Sequence, residues 1–163
     1  MIEIKNIYKK FGKLEVLNNI NLSFKKGECI ALIGPNGCGK TTLIKSILGM
    51  VIPTKGDILF DQKSILKEFE YRENIGYMPQ IGRYPDYMTV GQIIEMIKKI
   101  RNSEQVLDED LIKSFELEKI VDKQMRTLSG GTTQKVSATL AFLFNPEVLI
   151  LDEPTAGLDP LAS

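Results

Sequence analysis

Gly34-Pro35-Asn36-Gly37-Cys38-Gly39-Lys40-Thr41, preceded by the apolar run at 29–33, reads as a buried strand, a tight loop and the first residues of a helix. Glycines let the backbone turn so that successive N–H groups point inward, and the N-terminus of a helix opening at Lys40 adds the positive end of its dipole. A polyphosphate fits such a cradle. Lys40 can reach β- and γ-phosphates, and the Thr41 hydroxyl can ligate Mg2+. A glycine-rich turn without a ligand is the alternative, and the strand before and helix after weigh against it. The implied ligand is a nucleoside triphosphate, bound by Gly34, Pro35, Asn36, Gly37, Cys38, Gly39, Lys40, Thr41 and Thr42.

Working outward, residues 2–8 and 19–24 alternate apolar with polar side chains and are closed by basic, glycine-containing turns, as half-exposed antiparallel strands are. Residues 42–50 place Leu43, Ile44, Ile47 and Leu48 on one helical face, and Pro53 and Gly56 break that pattern before a strand at 57–60. A short apolar strand at 75–78 ends in Pro79-Gln80 and a Gly-, Pro- and Tyr-rich loop at 81–88. Thr89 and Gln92 fit a capping box, and Ile93, Ile94, Ile97 and Ile100 form an apolar stripe, so a helical insert begins there. Acidic Asp108, Glu109 and Asp110 suit the first turn of a second helix bearing Leu111, Ile112, Phe115 and Leu117. Gly130-Gly131 open a third, running to Asn145 and stopped by Pro146. The continuous apolar run 148–151 resembles a strand buried on both faces of a parallel sheet.

Composition narrows the function. The chain has 163 residues, 43% hydrophobic and 26% charged, which suits a globular domain. Formal net charge is zero, with Lys and Arg scattered, so no basic stripe marks a nucleic-acid footprint. No apolar run approaches the roughly 20 residues of a membrane-spanning helix, and Met1 leads straight into an alternating strand without a leader pattern, so a cytoplasmic location is expected. Cys29 and Cys38 have no paired spacing and the sequence contains no histidine, which excludes a disulfide framework or zinc site. Cys38 lies inside the phosphate loop near a positive helix end, so its alkylation is expected to block nucleotide binding.

Strand 148–151 delivers two adjacent acids. Asp152 is placed to hold Mg2+ or its water and Glu153 to polarise an attacking water, the pattern of metal-assisted phosphoryl transfer. Leu128-Ser129-Gly130-Gly131, with Gln80 and Thr155-Ala156-Gly157-Leu158-Asp159, makes the whole sequence resemble the ATP-binding subunit of ABC transporters. That resemblance implies an α/β P-loop NTPase fold of the ABC ATPase type: one domain over 1–163 with a mixed and parallel core sheet, an N-terminal antiparallel β part and a helical subdomain at about 81–140. It implies ATP and Mg2+ as ligands. It assigns Phe11 to stack on adenine with Val16 beside it, and Lys40 and Glu153 to catalysis, Glu153 as general base. Gln80 joins Thr41 and Asp152 at the metal. Ser129, Gly130 and Gly131 act in trans on the nucleotide of a partner subunit, and Asp159 communicates across the dimer interface. Partners implied are a second ATPase subunit, identical or not, and a transmembrane permease, which the loop 81–88 with Arg83, Tyr84 and Tyr87 would face. The location implied is peripheral, on the inner face of the membrane.

Two departures from the family pattern stand out. Thr132 occupies the usual glutamine of the signature, and the sequence stops before a switch histidine and a further core strand. A fragment or truncated product of a longer ATPase is therefore expected, with unpaired central strands, poor stability and little turnover. The leading expectation is an ATPase subunit driving a permease, with export favoured by the single glutamine loop and short insert. The alternatives are a soluble ABC ATPase working on ribosomes, DNA or chromosomes, and a remnant that binds nucleotide without turnover.

Overall fold

The computed structural model describes residues 1–66, 68–101 and 106–155. They fall into two compact units, Met1–Arg72 and Glu73–Ser163, each described by itself below.

The first unit is built on β1 (Ile2–Phe11), which pairs antiparallel with β2 (Leu14–Phe24) on one side and β3 (Lys55–Phe60) on the other. A short β4 (Lys63–Ser64) completes the order β2-β1-β3-β4. The buried residues of β1 are Ile2, Ile4 and Ile7, a spacing that breaks strict alternation. The cause is a register shift between Ile4 and Ile7, with Asn6 at φ 50°: one extra residue returns Ile7 to the inner face. Helix α1 (Lys40–Ile47) follows the loop and buries Leu43, Ile44 and Ile47, as its period requires. Gly49, at φ 67°, ends it, with Gly49 N donating to Ser46 O and Met50 N to Lys45 O. Those two bonds form a Schellman cap. Two further donors reach the exit turn, the Tyr71 hydroxyl to Ile47 O at 3.0 Å and Arg72 Nη2 to Gly49 O at 3.1 Å.

One expectation fails here. The run 29–33 forms no strand: among the described residues no β-strand pairs with it, and Ile30, Leu32 and Ile33 are exposed. An apolar run becomes a strand only when a neighbour supplies its ladder.

In the second unit β5 (Ile75–Met78) and β6 (Val148–Leu151) pair in parallel, from Ile75 opposite Val148 to Met78 opposite Leu151. Asp152 N donates to Met78 O at 2.9 Å and extends the ladder by one residue. Strand β6 is only half-buried, with Leu151 40% exposed, so burial on both faces does not hold. The helical part comprises α2 (Val90–Arg101), α3 (Asp110–Ser114) and α4 (Gly130–Phe142). The capping box forms as read, Thr89 N donating to Gln92 Oε1 and Gln92 N to Thr89 Oγ1. Val90, Ile93, Ile94, Leu117, Met125, Val136, Leu143 and Phe144 make one core. Ile100, expected in the apolar stripe, is instead exposed at the end of α2. The second helix is shorter than its acidic start suggests: α3 stops at Ser114, and Leu117 is buried in a separate 3₁₀ turn, Leu117–Ile120, entered through Glu116 at φ 55°. Arg101 ties α2 to β5, donating to Glu73 O at 3.1 Å and Ile75 O at 3.0 Å while lying over the Phe144 ring. Burial pushes its guanidinium below the usual value, partly offset by Glu73.

Candidate functional site

Each unit carries part of the chemistry. In the first, Gly37 and Gly39 adopt φ 81° and φ 99°, a region that side-chain-bearing residues avoid. Gly39 is doubly constrained, because a Cβ there would lie 2.9 Å from Val16 O and 3.3 Å from Val16 Cγ1. This close approach sets Val16 of β2 against the loop. Lys40 curls back over the turn, and its ammonium donates to Gly34 O at 2.7 Å and Pro35 O at 3.1 Å. Cys38 N closes the turn onto Pro35 O, and the Cys38 thiol is exposed. Gly34 to Asn36 and Thr41 are exposed, whereas Thr42 is half-buried in the first turn of α1. No acidic residue stands in that turn to oppose an anion at the helix start. Phe11, at the tip of β1, is 50% exposed, with the Lys9 ammonium 4.9 Å from its ring centre.

In the second unit the acid pair divides into unlike environments. Asp152 is 95% buried by contrast with its exposed neighbour, being only 5% exposed, and among the described residues its carboxylate has no hydrogen bond or ion pair. Its two oxygens suit a hard cation such as Mg2+. Among the described residues no group of three or more His, Cys, Asp or Glu is arranged to hold a metal ion. Glu153 is exposed and sits at φ 50°, a left-handed conformation that costs a glutamate of order 1–3 kcal/mol. Gln80 Nε2 donates to Glu153 Oε2 at 2.7 Å. That leaves Gln80 Oε1 as an acceptor available to a cation.

Ser129 caps α4: its hydroxyl accepts from Thr132 N at 3.2 Å and lies 2.8 Å from Thr132 Oγ1. Thr133 Oγ1 adds a bond to Ser129 O, and Gly130 and Gly131 are exposed or half-buried in the first turn. Thr132, the departure from the signature, thus serves the cap. The loop after β5 leaves Ile81, Arg83 and Tyr87 exposed but turns Tyr84 inward, its hydroxyl 2.8 Å from Ser137 Oγ. Tyr84 is therefore half-buried, unlike its exposed loop neighbours Arg83 and Tyr87. Burial raises its hydroxyl above the ordinary tyrosine value, opposed by the Ser137 bond. Tyr77 is raised too, by burial and then by the Asp152 charge. Asp159 lies outside the described residues.

Two residues that sequence reasoning passed over contact this site, Gln134 and Ser137. Both are buried on one face of α4, and Gln134 Nε2 donates to Gln80 O at 2.9 Å. Polar residues three apart on the core-facing side of a helix were the available signal.

Comparison with known proteins identifies the family. The zinc import ATP-binding protein ZnuC of Rickettsia conorii is 40% identical over 162 residues, which are 98% of this chain and 64% of that protein. The chain thus spans under two thirds of that relative's length. A solved structure titled as the ATP binding subunit of an ABC transporter superposes with a TM-score of 0.87 at 32% identity, covering 99% of this chain and 69% of the other. The dimeric, post-hydrolysis structure of the ATP-binding cassette MJ0796 with ADP and Pi gives 0.84 at 28% identity, covering 99% and 78%. Residues 17–156 match the family model described as ABC transporter. Since that match takes in most of the chain, from β2 through the acid pair, the protein belongs to the ABC transporter family, in its ATP-binding part.

Proposed function

We propose that this chain is the nucleotide-binding part of an ATPase that powers a membrane transporter, working as a dimer of ATPase subunits. The observation that carries the proposal is the loop 34–41, with glycines at positive φ and Lys40 folded over it at the start of α1. Lys40 exchanges its two carbonyl acceptors for phosphate oxygens, which bind a cation more strongly. Phe11 offers a ring face to adenine beside Val16, and the loop amides hold the phosphates. In the first unit Thr41, and in the second Asp152 and Gln80, each offer an oxygen donor suited to Mg2+, which would offset phosphate charge. Glu153, fixed through Oε2 by Gln80, keeps Oε1 to accept a proton from the attacking water. Ser129, Gly130 and Gly131 present a hydroxyl, amides and a helix dipole to the γ-phosphate of the partner subunit, with Asp159 at that interface.

The direction of transport is not part of the proposal: export gains no support from relatives, since ZnuC is named for import and other relatives are named for import or export. Among the described residues no helix is long and apolar enough to cross a membrane. A transmembrane permease is proposed to contact the exposed residues Ile81, Arg83 and Tyr87 from the inner membrane face. The experiment is co-purification of the full-length protein with a polytopic membrane protein, followed by Mg-ATP turnover in the complex. Recovery of such a partner with ATP hydrolysis is expected. Recovery of ribosomes or DNA instead would overturn the transport reading.

A further inference from the structure

We infer that Gln134 is a positioning residue for hydrolysis, acting through the backbone of Gln80 to set the side chain that holds Glu153. This rests on the proposed role of Glu153 as base. Three bonds carry it. Gln134 Nε2 donates to Gln80 O at 2.9 Å, and Gln80 Nε2 donates to Glu153 Oε2 at 2.7 Å. One turn further along α4, Ser137 meets the Tyr84 hydroxyl at 2.8 Å, so the loop is held to the helix at two points on a single face.

The chemistry of the contact is directional. A backbone carbonyl only accepts, so the residue at 134 must present a donor, and Gln134 does so with Nε2 while nine-tenths buried. Gly82 fits the same strap: a Cβ there would strike Ser137 Oγ, so loop and helix lie in close contact. At the far end, Glu153 is held in a left-handed backbone conformation, which persists only where surroundings over-determine it. A strained, exposed glutamate gripped by one amide depends on where that amide sits. Gln134 fixes this through the peptide carrying it, by its bond to Gln80 O.

Gln134→Met removes the donor without adding a charge; Gln134→Glu is nearly isosteric and removes it once the carboxyl is ionised. Both variants, made in the full-length protein and compared at matched folded fraction, are expected to lower turnover about tenfold while ATP affinity changes by less than about twofold. The discriminating measurement is a cycle with Gln80→Ala. If Gln134 acts by placing the Gln80 side chain, its substitution costs nothing further once that side chain is gone. Wild-type turnover in both single variants, or losses that multiply in the double variants, would overturn the inference. Failure of the base assignment reads differently: Glu153→Gln would then keep its turnover whatever the residue at 134.

Discussion

Lys40 and Gly39 show how a single residue links sequence to chemistry. A loop with glycine at φ 99° against Val16 O has no room for a Cβ, and the lysine that follows finds only carbonyls to bond. We predict that Lys40→Ala weakens ATP binding at least about a hundredfold, since a charge-assisted bond to phosphate is lost from a site built around it; isothermal titration measures it, and unchanged affinity would refute it. The exposed thiols Cys29 and Cys38 give a second check. Ellman's reagent should titrate both in the native protein, and bound ATP should protect Cys38, whereas full ATP binding after complete Cys38 alkylation would remove that residue from the site. Tyr84 supplies the pH dependence. Its folded-state value is raised, so it contributes stability that is present below about pH 10 and falls as pH rises through the higher folded value. Tyr84→Phe should therefore reduce the loss in urea midpoint between pH 8 and about pH 11, Tyr77 retaining a share of the same sign. The glycines and lysine of the loop were legible because each has a positional requirement; Gln134 was not, because its role depends on a carbonyl 54 residues away along the chain.

Elements were legible where their stabilising partners are local. The capping box at Thr89 and Gln92 lies within four residues, and the helix it opens starts there. The run 29–33 has the apolar character of a buried strand, yet a strand needs a ladder that its own sequence does not contain, and among the described residues none is present. The acidic start of α3 was likewise readable, while its end at Ser114 follows from the left-handed turn at Glu116 that drops Leu117 into the core. Leu117 is 1% exposed, and Leu117→Ala should destabilise the second unit by about 2–5 kcal/mol through lost burial and a cavity. Equilibrium urea unfolding followed by circular dichroism tests this, and a change under about 0.5 kcal/mol, the range of surface substitutions, would contradict that packing.

At the scale of the molecule, the phosphate loop belongs to one compact unit and the acid pair, Gln80 and the capped α4 to the other. Family membership was readable from short motifs at their spacing, and the match over residues 17–156 bears it out. Direction of transport was not readable, because relatives similar to this chain over nearly its whole length are named for import in one case and for export in another. The most direct measurement on the full-length protein is Glu153→Gln, assayed in parallel for ATP binding and Mg-ATP turnover. The amide keeps the shape at 153 but cannot take the proton of water, so ATP affinity should stay within about twofold of wild type while turnover falls by about a hundredfold or more. Turnover at the wild-type rate would show that Glu153 is not the base and that the hydrolytic site lies elsewhere.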